Sequence, residues 1–239
     1  MNHFTKRAAL LLSLSLPFSS ANATEAMMHG EEGPLFHSVR FQIDGAQNDQ
    51  GGLISWEGNG FIGGDLEKLV VRTEGESQNG HVERSEVWGL YSRNVTEFWD
   101  VQAGIRQDLD PRPQTFLAIG IEGLAPYFIE TGAHAFLAKN GDLSARLEQS
   151  IDLLITQSIA LKPHLKLDAS ANDAPEGRIG AGLSRLEMGA QLRYEITRKF
   201  APYIDLVYER ALGNTARMIR EDGSNPGDLT LRAGISLSF

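Results

Sequence analysis

Two thioethers and an imidazole sit side by side in Met27-Met28-His29, and His37 follows shortly after. Thioether and imidazole donors together suit copper, with methionine favouring the cuprous ion. The chain has no cysteine, which excludes thiolate metal sites, iron–sulfur clusters, thiol nucleophiles and a disulfide scaffold. Any copper chemistry must therefore use methionine, histidine and carboxylate. Enzyme chemistry has little to build on, because no G-x-S-x-G, H-E-x-x-H, phosphate-loop or dinucleotide fingerprint occurs. His134 with Ser144 or Ser150 is the one nucleophile–base pairing to consider, as in a barrel enzyme that attacks lipid. The formal charge of −9 argues against nucleic acid as a partner, since phosphate neutralisation needs clustered Lys and Arg.

The elements that must carry these residues begin with an export segment. Lys6 and Arg7 precede the apolar run 8–18, and the small-x-small site Ala21-Asn22-Ala23 follows. This order reads as a cleaved signal peptide over 1–23. A short segment, 24–33, then carries the Met/His donors on the periplasmic side, and 34–239 forms the folded body.

In that body the dominant period is two. Leu186, Met188, Ala190, Leu192, Tyr194 and Ile196 alternate with Glu187, Gly189, Gln191, Arg193 and Glu195, and the last segment alternates from Leu229 to Phe239. Such alternation means strands with one apolar and one polar face. Breaks at Gly, Asn, Asp and Pro give about twelve strands: 34–46, 53–62, 66–75, 81–93, 98–108, 114–123, 127–138, 143–156, 159–170, 183–196, 200–210 and 228–239. One set of connections is short. The other set is longer and more polar, at 47–52, 76–80, 109–113, 171–182 and 211–227. An even strand number with tight turns on one rim and long loops on the other predicts an all-β, antiparallel, up-and-down transmembrane β-barrel. A terminal Phe239 on an alternating strand resembles the signature read by the outer-membrane insertion machinery. Phe36, Trp56, Trp99, Tyr127, Phe128, Phe200 and Tyr203 fall near strand ends, where interfacial girdles lie.

In such a barrel the polar face lines the lumen. Parity puts Glu86, Glu122, Glu130 and Asp152 there with His134 and His164, and acids outnumber bases on this face. That excess would draw cations as a field effect, while Arg–carboxylate ladders would brace the interior. His37 and Met188 take outward parity.

Several runs resemble the copper resistance protein B family: 86–93 (EVWGLYSR), 98–106 (FWDVQAGIR), 118–127 (AIGIEGLAPY), 145–157 (ARLEQSIDLLITQ) and 180–208 (GAGLSRLEMGAQLRYEITRKFAPYIDLVY). The resemblance extends from about Gly58 to Phe239. It implies a Gram-negative outer-membrane protein of copper tolerance, with outer-membrane lipid and copper ions as partners, alongside periplasmic copper oxidases or copper-binding proteins. Many members carry a long Met- and His-rich N-terminal segment, which here shrinks to Met27-Met28-His29-Gly30. The expected function is non-catalytic: binding copper or moving it out of the periplasm, with Met27, Met28, His29 and His37 as ligands. The alternative is a general small-solute porin linked to copper only by genetic context.

Overall fold

The computed structural model describes residues 35–48, 51–173 and 179–239; Met27, Met28 and His29, with all of 1–34, lie outside the described residues. The described chain forms one sheet of thirteen segments: β1 (Phe36–Asn48), β2 (Gly51–Gly63), β3 (Glu67–Gln78), β4 (His81–Thr96), β5 (Trp99–Asp110), β6 (Gln114–Ala125), β7 (Ile129–Ala138), β8 (Leu143–Ser150), β9 (Leu153–Leu154), β10 (Ile159–Ser170), β11 (Gly182–Tyr194), β12 (Phe200–Ala211) and β13 (Gly227–Ser238). Every pairing is antiparallel, and β13 pairs with β1, so the sheet closes on itself. Backbone bonds between Val39 and Phe239, 3.0 and 2.8 Å, finish the seam. Closure leaves no sheet edge, which is what hydrocarbon demands of a spanning sheet.

Burial runs opposite to a soluble protein. The outward residues Ile54, Leu69, Ile105, Leu117, Ile119 and Leu231 are half or more exposed, whereas Glu86, Gln102, Arg106 and Arg146 are buried inside. Apolar side chains on the open face and charges in the interior suit a barrel solvated by lipid.

β8 and β9 form a single stave, so the barrel has the twelve staves that the alternation predicts. The stave expected over 143–156 is interrupted at Ile151-Asp152, and the cause lies across the ladder. Pro163 of β10 stands opposite the break; its carbonyl accepts from Ile151 N at 3.2 Å, but it has no N–H to return. The ladder stops at His164↔Ser150 and resumes at Leu161↔Leu153.

Several expected long loops are in fact strand. β3 and β4 join through Asn79-Gly80 alone, with φ of 52° and 79°, as a two-residue hairpin requires. β1 and β2 run to Asn48 and Gly51. The connections that stay long between the described strands are 171–181, part of which lies outside the described residues, and 212–226. The second holds a helix that alternation could not show, α1 (Gly213–Glu221). Tyr203 also departs from the girdle, because it is buried in the lumen, whereas Phe36, Tyr127 and Phe128 are exposed at the rim of the termini.

Candidate functional site

The lumen is built by strand pairs that seat rings over glycines. Gly120 pairs with His134, Gly189 with His164 and Gly234 with Tyr203. In each pair the ring occupies the space a Cβ on the glycine would need. Glycine at these positions lets an inward ring lie flat against the wall instead of crossing the lumen.

One side of the lumen is closed by ion pairs and aromatics. Arg146 of β8 donates to Glu86 (2.6 Å), Glu74 (2.8 Å) and Asp168 (2.8 Å), and Lys166 donates to Glu74 at 2.5 Å. Arg72 of β3 reaches Glu122 of β6 and Glu148 of β8, so it braces the barrel across its width. Trp88, Phe116 and Phe136 pack with Val70 and Leu90 as an internal apolar cluster. Arg106 stacks over Phe116 and Phe136 at 4.5 and 4.4 Å, which partly compensates its desolvation. Trp88 donates to Glu86 at 2.8 Å. A cavity of about 40 Å³ beside Glu57, Arg72, Glu148 and Trp88 leaves room for a few water molecules.

Each carboxylate expected to draw cations has a basic partner. Glu86 is matched by Arg146, Glu122 by Arg72, Glu130 by Lys162 at 3.5 Å and Asp152 by Arg193 at 3.4 Å. Lys68, Arg84, Lys162, Lys166 and Arg185 also reach luminal carboxylates. The alternation reading had not assigned these five bases to the lumen, so its acidic excess shrinks. His134 is buried, with Nε2 at 2.9 Å from Gln102 Oε1. Ser150 donates to Glu130. The His134–serine pairing is therefore absent, and His134 faces the lumen, away from lipid.

The rest of the wall, along β10, β12, β13, β1 and β2, carries acids with fewer ion pairs. His164 Nε2 lies 3.1 Å from both Asp205 oxygens. Tyr203 donates to Asp44 at 2.8 Å, and the other Asp44 oxygen is buried without a partner. Glu57 is exposed to the lumen and makes no ion pair among the described residues. Arg232, between Ser55 at 3.2 Å and Glu76 at 3.7 Å, is one base of this arc, and Lys162 and Lys166 of β10 pair instead with Glu130, Glu74 and Glu148. Sequence parity found Asp44, Glu57, His164 and Asp205 as inward residues but could not tell them from the paired acids. Among the described residues, no three His, Asp or Glu side chains are grouped closely enough to hold a metal ion. His37 is exposed at the start of β1, on the outward face opposite Ile62.

A twelve-stave barrel with a charged lumen fixes a fold and not a function, so sequence similarity must decide the family. Residues 37–239 match the family of copper resistance protein B precursors. A copper resistance protein B homolog of Pseudomonas syringae pv. tomato is 41 % identical over 84 % of this chain and 69 % of its own length. The chain belongs to the copper resistance protein B family. A second relative in that family, copper resistance protein B of Escherichia coli, is 35 % identical over 83 % of this chain and 67 % of its own length. Among solved structures, the KdgM porin (TM-score 0.51, 10 % identity) and the NanC porin (0.53, 15 %) each align with 84 % of this chain and 99 % of their own. These two share the fold. Family and fold together place the protein in the outer membrane with a role in copper resistance.

Proposed function

We propose that the protein confers copper tolerance without catalysis, by accepting copper on the periplasmic side and passing it outward along the lumen. Met27, Met28 and His29 supply soft and imidazole donors on the segment that leads into β1, with His37 at the rim. The arc of Asp44, Glu57, Asp205 and His164 then offers carboxylate and imidazole ligands that no Arg or Lys fully neutralises. The observation that supports this reading is the contrast between that arc and the matched acids elsewhere in the lumen. Transfer between successive oxygen and nitrogen donors fits a lumen filled by side chains, whereas sugars and other bulky solutes need open space.

Complementation of a deletion strain tests it. Deletion is expected to raise periplasmic copper and copper sensitivity, and the wild-type gene to restore both. A Met27/Met28/His29 triple alanine variant and a Glu57→Gln/Asp205→Asn variant are each expected to restore them only in part. A deletion without effect overturns the copper role. Full rescue by either variant removes that part of the route. Swelling of liposomes in sugar solutions by the purified barrel would favour a general porin instead.

A further inference from the structure

Outside the lumen, one cleft of about 570 Å³ opens on the lipid-facing side of the β12–β13 hairpin, at the rim of the long loops. It is independent of the copper reading. Short turns mark the periplasmic rim of such barrels and long loops the outer one, so the cleft sits at the outer leaflet. Its polar groups are Tyr208 and Arg210 from the end of β12, Arg220 from the last turn of α1, and Asn225 from the link into β13. Tyr208 Oη and Arg210 Cγ both approach the point where a Cβ on Gly227 would stand, at 3.5 and 3.6 Å. A Cβ there would stand at ordinary contact distance from both, so the glycine leaves this small space free.

Arginines outnumber acids in this cleft. Arg210 and Arg220 are exposed and make no ion pair among the described residues, whereas Arg217 on the same helix has Glu221 at 3.8 Å. Asn225 spends its Oδ1 on the Gly227 N–H, which leaves its amide N–H groups as donors. The one acid in the cleft, Asp228, is held by its own strand: it accepts from Leu229 N at 2.9 Å and Thr230 Oγ1 at 3.1 Å. Directly below, toward the bilayer, the outward residues are Leu206, Leu229, Leu231 and Ile204, each about half exposed or more. An outward arginine is costly at mid-membrane but nearly free at the interface. Two arginines and a tyrosine above a leucine surface match a ligand with an anionic head and several acyl chains.

We propose that this cleft binds the phosphorylated sugar head of an outer-leaflet glycolipid, with Arg210 and Arg220 on the phosphate, Tyr208 and Asn225 on phosphate or sugar oxygens, and the acyl chains along Leu206, Leu229 and Leu231. The ligand would act as a fixed lipid on the loop-rich side of the barrel.

Native mass spectrometry of the full-length barrel in detergent, titrated with bisphosphorylated lipid A, tests the proposal. Arg210→Gln/Arg220→Gln is expected to weaken binding by at least about tenfold, the scale of losing charge-assisted contacts. Lys139→Gln, which removes one charge from the same rim at another hairpin, is expected to leave binding unchanged. Dephosphorylated lipid A and phosphatidylethanolamine are expected to bind no better than the double variant binds lipid A. Equal binding by the double variant, or by dephosphorylated lipid A, overturns the proposal. Competition by inorganic phosphate at the lipid's own concentration would make this a free-anion site and overturn it too. Heat-modifiable migration on gels reports barrel folding; should the double variant fail to fold, Arg220→Gln alone, on the surface helix, carries the same test.

Discussion

At the scale of single residues, the interior works by matching charge with charge. Arg146 is 5 % exposed and Glu86 2 %, so neither ion can remain once its partner is lost. Arg146→Met strands Glu86, Glu74 and Asp168 around an apolar side chain. It is expected to cost about 3–5 kcal/mol in urea unfolding of the refolded barrel, the usual result of breaking a buried pair. Adding Glu86→Gln should recover part of that loss, because the amide can be buried with a far smaller penalty. Residue types in the sequence already named most of these groups, and alternation told which way each acid points. Partnership was not legible, since Arg72 finds Glu122 and Glu148 through curvature that brings distant strands face to face. Lys162 and Lys166 share the parity of His164 and Asp168 on β10, so their inward direction follows from alternation, whereas their partners Glu130 and Glu74 became clear only from the contacts.

At the scale of elements, the break between β8 and β9 is a hydrogen-bond deficit set by Pro163. Pro163→Ala restores a donor opposite Ile151. It is expected to merge the two segments into one strand and slow amide exchange at 151–153 by roughly tenfold or more, as measured by hydrogen–deuterium exchange. The converse holds for α1. Its polar composition and the Gly and Asn around it read as a loop, and its packing comes from elsewhere: Thr215 is buried and its Oγ1 accepts from Gly180 N at 2.9 Å. Strand ends were the least legible feature. Asn48, Gln78 and Gly51 are polar or flexible residues that propensity assigns to turns, but a closed barrel extends its ladders until the cross-strand partners run out.

At the scale of the whole molecule, the lumen is braced rather than open. Arg72 spans it from β3 to β6 and β8, and the cluster around Trp88 fills one side. Arg72→Ser removes that brace and is expected to raise single-channel conductance in planar bilayers several-fold, since pore area rather than barrel diameter limits passage. Unchanged conductance would mean that the constriction lies elsewhere.

The sequence by itself determined the architecture and its solvent. A period of two along twelve segments forces strands with unlike faces, and the similarity of 86–93, 118–127 and 180–208 to one family gives the copper connection. Tertiary structure decided what the lumen does with its charges. Closure of β13 on β1 brings residues far apart in the chain within hydrogen-bond reach, so Glu86 and Glu122 become braces, while among the described residues no Arg or Lys ion-pairs with Glu57, Asp44 or Asp205. It also decided what the outer rim offers, because only the fold of 212–226 lifts Arg220 beside Arg210 above the leucine face. Alternation is a local property and survives in one dimension; pairing across a closed barrel depends on curvature and register, which no single segment contains.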